Sequence, residues 1–251
     1  MTDSYSKSSY YSEGLLEEAI AENKKKLEAD PGNHMLRCSL ANSLQRMGNL
    51  DEAIEEYRKC VETAPTSEYW NNLGKALLNA GQYEEAANAF TQVLAKNKWP
   101  DAYFHLSLAL KSLGKIEEAL KHLDEAIKIN PKYREALNER GHILEALDRK
   151  DEALTEYKKV IALFFSEYQA RDTEDYCYET AVLLDNNDLI DELIRQLRQH
   201  IQKFPGFADG YYKLGQALEA KGLRNEAMMA FRRALEINPS YEIARKSFWK
   251  R

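Results

Sequence analysis

Proline punctuates this chain at nearly constant intervals. Pro31, Pro65, Pro100, Pro131, Pro205 and Pro239 are the only six, and the steps between them are 34, 35, 31, 74 and 34 residues. Part of the text recurs as well. Residues 127–136 read IKINPKYREA and residues 235–244 read LEINPSYEIA, with Pro131 and Pro239 lying 239 − 131 = 108 residues apart. A recurrence of this length means one supersecondary unit, repeated along the chain and unable to bury its apolar faces alone.

Aligned on the prolines, the chain gives six blocks: 34–66, 67–99, 100–133, 134–167, 174–207 and 208–241. The eighth position is small in every block: Ala41, Gly74, Ser107, Gly141, Ala181 and Gly215. The eleventh is always leucine, from Leu44 to Leu218, and the twentieth is alanine except at Leu193. The twenty-fourth is large: Tyr57, Phe90, Leu123, Tyr157, Leu197 and Phe231. Positions 4, 7, 8 and 11 share one face of a helix, because residues three and four apart are neighbours there. Small residues at 8 and 20 let a second helix approach, and position 24 fills the space between. Gly48, Gly81, Gly114 and Gly222 end the first helix of their blocks, since glycine accepts the left-handed cap conformation. Proline closes the second helix. Each block is therefore expected to be a helical hairpin.

The segments YWNNLGKALLNAGQYEEAANAF (69–90) and YYKLGQALEAKGLRNEAMMAF (211–231) resemble the tetratricopeptide repeat family over roughly residues 13–241. The resemblance implies an all-α fold, a right-handed α-solenoid of about six hairpins. On this reading 1–12 is a flexible Ser/Tyr-rich tail and 13–33 a partial repeat. Repeats 1–4 fill 34–167, an insertion YQARDT occupies 168–173, repeats 5–6 fill 174–241, and 242–251 is a capping helix. The family lines a concave groove with its first helices. Its groove positions fall here on Asn42, Asn71, Asn72, Lys75, Phe104, His105, Asn138, His142, Tyr178, Tyr212, Lys213 and Gln216. Amides bond both donors and acceptors of a peptide backbone, and aromatic rings add contact area at low entropic cost. These are the candidate peptide-binding residues.

Family co-chaperones grip C-terminal carboxylates with a clamp of Lys, Asn, Asn, Lys and Arg. The matching positions here hold Cys38, Asn42, Asn72, Asp101 and His105. Both asparagines match and all three cations are missing, so a clamp of that type is not expected. Acids recur at position 2 (Glu68, Asp101, Glu135, Asp175, Asp209). They are read either as offsetting the helix dipole or as a ladder for a basic partner. The 108-residue interval is three repeats plus the six inserted residues. The insertion is either a tolerated loop or a device that alters pitch or partner contact, and Leu193 and His200 replace alanine just after it.

Composition limits the function. The chain is 44% hydrophobic and 30% charged, with no long uninterrupted apolar run and no apolar leader near Met1. Integral membrane insertion is not expected, and the cytoplasm is the expected location. The net charge of −6 argues against nucleic acid as a partner, although residues 208–251 carry nine Lys/Arg against five Asp/Glu. Cys38, Cys60 and Cys177 form no CxxC pair, and five dispersed histidines form no HExxH. No metal or cofactor is expected, and no enzyme activity. The expected function is a protein-interaction module that holds a peptide or helix of a partner protein. The alternative is a scaffold assembling head to tail, basic end on acidic body.

Overall fold

The computed structural model describes residues 3–167, 189–242, 244 and 245, with side chains from residue 14 to 163 and from 189 onward among them. Every regular element among the described residues is an α-helix. In chain order they are α1 (Asp3–Ala29), α2 (His34–Arg46), α3 (Leu50–Thr63), α4 (Ser67–Asn79), α5 (Tyr83–Leu94), α6 (Pro100–Ser112), α7 (Ile116–Ile129), α8 (Arg134–Ala146), α9 (Lys150–Glu167), α10 (Ile190–Lys203), α11 (Ala208–Ala220) and α12 (Arg224–Ile237). The helix α1 takes in residues 3–12, which the sequence suggested as a tail. The insertion 168–173 lies outside the described residues, and so does most of the expected capping helix.

Local chemistry starts and stops these helices. The Asn33 side chain accepts a hydrogen bond from Leu36 N at 3.1 Å to cap α2, and Thr66 accepts from Tyr69 N at 3.2 Å to cap α4. Pro100 opens α6, where its missing N–H costs nothing. Acids occupy the first turns of α3, α5 and α7, where the helix dipole favours them. Between the helices of a hairpin the chain passes through left-handed backbone, at Gly48, Gly81, Gly114 and Gly222 with φ between 74 and 83°. The α8–α9 turn makes the same bend at Asp148, φ 59°. Sequence alone did not mark that bend, because no glycine stands there. α9 runs for 18 residues against 12 to 14 in the other second helices, consistent with its missing proline.

The helices fall into two units, Met1–Ala136 and Leu137–Arg251. In the first, each helix from α1 to α7 packs on the next, and α4 also touches α6. In the second, α9, α10, α11 and α12 pack in the same serial manner. The space between the two helices of a hairpin is set by positions 8 and 24. A Cβ added to Gly74 would lie 2.8 Å from the Phe90 ring; one on Gly141 would lie 2.5 Å from Tyr157, and one on Gly215 2.4 Å from Phe231. Where position 8 keeps a small side chain, the pair is equally buried, as in Ala41 with Tyr57 and Ser107 with Leu123. No helix is long and apolar enough to cross a membrane among the described residues.

Two stability measurements test this account. Gly215→Val forces a branched side chain into space that Phe231 holds and should cost about 1–3 kcal/mol in urea unfolding. Pairing it with Phe231→Leu should recover part of the loss. Asp148→Gly removes the left-handed strain of an L-residue, less the added chain entropy of glycine, for a net gain of about 0.5 kcal/mol.

Candidate functional site

In the first unit the expected groove residues gather on α2, α4 and α6. Asn42 is exposed, and its Oδ1 accepts from the Tyr57 hydroxyl at 2.5 Å; Gln45 Oε1 lies 2.9 Å from the same hydroxyl. Thus the position-24 tyrosine, packed under Ala41, pushes its polar end through to the first-helix face. Asn72 is half-buried, with Nδ2 4.0 Å from Cys38 Sγ. Asn71 is half-buried, and its Oδ1 has no hydrogen-bond partner among the described residues. Phe104 stands 5.3 Å from both His105 and Tyr133, centroid to centroid.

Asp101 is the hub of this cluster. Its carboxylate receives Lys75 Nζ at 2.7 Å, His105 Nε2 at 3.2 Å and the Tyr133 hydroxyl at 3.2 Å. The hydrogen bond from His105 and then that from Lys75 hold its carboxyl far below the usual range, against the opposing cost of burial. His105 stacks on Phe90 at 5.5 Å, and its Nδ1 is screened from water with no partner among the described residues. Lys75 is therefore not a free cation.

The second unit repeats parts of this scheme. Asn138 Nδ2 lies 3.2 Å from His142 Nε2, and His142 Nδ1 lies 3.0 Å from the Tyr157 hydroxyl, which donates to Glu145 at 2.9 Å. With that proton committed to Glu145, His142 carries its own on Nδ1 and accepts from Asn138 at Nε2. Asp209 bonds the Tyr241 hydroxyl as Asp101 bonds Tyr133, 108 residues on in both cases. Its carboxyl is shifted the opposite way. Asp209 is buried, one oxygen has no partner among the described residues, and burial raises its pKa despite Tyr241 and Lys213. Tyr212 and Lys213 are 5% and 6% exposed, with Lys213 Nζ 5.5 Å over the Tyr212 ring. They are packed into the protein. Gln216 is half-buried with Oε1 unpartnered among the described residues, and Tyr178 lies outside them.

Family models described as tetratricopeptide repeat match residues 38–102, 135–166 and 208–241, and one described as TPR repeat matches 108–148, together well over half of the sequence. The chain belongs to the tetratricopeptide repeat family. It is similar to Hsp70-Hsp90 organizing protein 1 of Glycine max, 24% identical over 243 residues, covering 92% of this chain and 40% of that protein. Heat shock protein STI1 of Saccharomyces cerevisiae is 30% identical over 117 residues, 46% of this chain and 20% of that one. The chain thus spans between a fifth and two-fifths of the length of these two curated relatives. Among solved structures, MamA 41-end from Desulfovibrio magneticus RS-1 gives a TM-score of 0.59 at 21% identity, covering 62% of this chain and 89% of its own. The APC/C hetero-tetramer Cut9-Hcn1 gives 0.58 at 16% identity, covering 94% and 46%. These likenesses show the fold, an α-solenoid of helical hairpins. As a tetratricopeptide repeat protein, the chain is a protein-interaction module.

Two features escaped the sequence. One is the tyrosine clip, in which the Asn-Pro-x-Tyr phrase sends Tyr133 and Tyr241 back 32 residues to the acid in the first turn of the same repeat. Its signal was present, because Asp101 and Asp209 are separated by the same 108 residues as the phrase itself. The other is a groove of about 590 Å³ between α10, α11 and α12, lined by Tyr211, Leu214, Leu218, Met229 and Arg233 among others. The Arg233 guanidinium lies 6.0 Å from the Tyr211 ring centroid there.

The two acids make a pH test. A carboxyl lowered in the folded state contributes stability above its unfolded pKa of about 4 and loses it as pH falls further. Asp101→Asn should therefore destabilise by about 1 kcal/mol at pH 7, a figure discounted for partial exposure. The deficit should be smaller at pH 3 and vanish only at lower pH, where the folded carboxyl is itself protonated. A raised carboxyl has the opposite sign, so Asp209→Asn should be tolerated better at pH 7 than Asp101→Asn. Denaturant melts at the two pH values check both.

Proposed function

We propose that this chain is a non-catalytic adaptor, co-chaperone-like or assembly factor of the cytoplasm. It holds a peptide or helical segment of a partner protein on the first-helix faces of its hairpins. The observation that carries this reading is the pair formed by Asn71 Oδ1 and His105 Nδ1, both screened from water and lacking a partner among the described residues. An unmet buried polar atom costs about 1–3 kcal/mol, which rotation of these two side chains toward the N–H groups of a bound peptide would relieve. Half-exposed Asn72 and Phe104 stand beside them on α4 and α6, helices that touch each other. Amides and rings on one face suit the polar backbone and apolar side chains of such a segment.

Similarity to the organizing proteins supports the co-chaperone-like reading, but the mode of grip differs. At the clamp positions stand Cys38, Asp101 and His105, and Lys75 is held by Asp101. Among the described residues no free cation is poised at those positions for a terminal carboxylate. A partner segment prepared with a free or an amidated C-terminus should therefore bind within about twofold, by fluorescence anisotropy.

The wider test is a paired capture. Wild type is compared with Asn72→Ala/His105→Ala/Asn138→Ala, three changes on first-helix faces that leave the 8–24 contacts in place. A partner captured by the wild type should be reduced about tenfold or more with the triple variant, whose melting stays within a few degrees. Equal capture by both would move the binding surface elsewhere.

A further inference from the structure

The sixth hairpin is sparse at one place, between position 23 and the first helix. In three of the described repeats the position-23 side chain crosses to position 4 or 7. Glu56 reaches Arg37 at 2.7 Å, His122 stacks on Tyr103 at 5.9 Å, and Glu156 meets Arg140 at 3.0 Å. The second repeat has an alanine there, Ala89, but carries the larger Trp70 at position 4. The sixth pairs Ala230, which has no side chain long enough to cross, with Tyr211. The space left is the groove of about 590 Å³ between α10 and α12 over α11, wholly inside the second unit. Its volume lies in the range of binding clefts.

The lining divides into a floor and a rim. Half-buried Tyr211 and buried Leu214 and Leu218 form the floor, at i, i+3 and i+7 along α11. Met229 stands at the rim with 71% of its surface exposed, the most of any large hydrophobic side chain among the described residues. The rest of the rim is mainly arginine. Arg198 of α10 pairs with Glu226 of α12 at 2.6 Å, and Arg233 pairs with Glu236 at 2.7 Å. Both rim acids are therefore taken, while Arg232 is exposed and has no ion pair among the described residues. Residues 208–251 carry nine Lys/Arg against five Asp/Glu, so the surroundings are basic as well. Tyrosine, methionine and arginine are the side chains that interface cores favour. On α12 the lining runs from Glu226 to Glu236, ten residues or about 15 Å, enough for two turns of a helix laid alongside.

We propose that this groove is a second docking site, which receives an amphipathic helical segment of a partner protein with acidic residues beside its apolar anchors. Anchors at i, i+3 or i+4, and i+7 fit the floor, whose own apolar residues have that spacing. The arginines of the rim take the flanking carboxylates, a geometry that guanidinium favours. A basic helix is rejected, because the two acids that would attract it are already held by Arg198 and Arg233. Met229, unbranched and flexible, closes over the anchors and fills what their shape leaves open. The site is separate from the first-helix faces of the first unit, so loss of either leaves the other intact.

The probe is a pool of N-acetylated, C-amidated helical peptides offered to the full chain. Leucine, phenylalanine or methionine occupies the three anchor positions, and glutamate, lysine or serine the flanking ones. The peptides retained should carry glutamate flanks. The tightest of them should shift the methyl signal of Met229 in a spectrum of methyl-labelled methionine, with Met229→Leu assigning that signal. Met35, 68% exposed in the first unit, should not respond. Arg232→Glu changes only an exposed side chain and should weaken binding about tenfold. Ala230→Leu plugs the groove and should weaken it at least as much, with helicity checked by circular dichroism. Asn72→Ala/His105→Ala/Asn138→Ala should bind the same peptide within about twofold, which separates this site from the first-helix faces. The proposal is overturned if no glutamate-flanked peptide is retained, if Met35 shifts and Met229 does not, or if Arg232→Glu binds as the wild type does. A Met229 shift on concentrating the protein alone, with a doubled mass, would give the groove to a second copy and overturn it equally.

Discussion

The contact between a small residue at position 8 and a large one at position 24 governs this molecule. It sets how closely two helices of a hairpin approach, and a hairpin's outer faces must match those of its neighbours. The fit leaves no slack, since a single methyl on Gly215 would enter the Phe231 ring. Close packing at native density is the reason such a contact behaves as a fixed spacer and not as a soft one. Serial packing then follows, because a hairpin spaced this way leaves its outer apolar faces for its neighbours to cover.

The same contact has a second consequence where position 24 is tyrosine. The ring fills the gap as phenylalanine does, but the hydroxyl has to be satisfied, and it emerges beside positions 9 and 12 of the first helix. In the first repeat it meets Asn42 and Gln45; in the fourth it meets His142 and Glu145. Packing thereby fixes the orientation of residues that line the candidate site. Where position 24 is Phe90, position 9 is Lys75, which turns instead to Asp101. The polar character of the first-helix faces is thus partly set from inside the hairpins.

The fold was almost wholly legible because it is periodic. Leucine at position 11 and small residues at 8 and 20 carry the same meaning in each block, so the repetition averages out local ambiguity. The bend at Asp148 was not legible, because aspartate gives little sign of a left-handed backbone conformation. Site residues were legible only by position. Position placed Asn71, Asn72, Phe104 and His105 together, but it could not distinguish them from Tyr212 and Lys213, which are buried. Burial depends on what the next segment does. Tyr241 packs its ring 5.3 Å from Tyr212 and bonds Asp209, and a residue 29 positions away is invisible to a rule about helix faces.

The paired acids show how little a positional rule says about electrostatics. Asp101 and Asp209 occupy the same place in their repeats and receive the same tyrosine, yet one carboxyl is lowered and the other raised. The difference lies in their company. Asp101 is partly exposed and gathers Lys75 and His105, so charged hydrogen bonds outweigh desolvation. Asp209 is buried and leaves one oxygen unmet, so desolvation outweighs Tyr241 and Lys213. Neither acid is simply a counter-charge for a helix dipole, and a ladder of equivalent anions is a poor description of the two. The first unit presents a Lys–Asp–His cluster with aromatic flanks. On the function proposed above, such a surface would discriminate by shape and hydrogen-bond geometry, because its charges are already paired with one another.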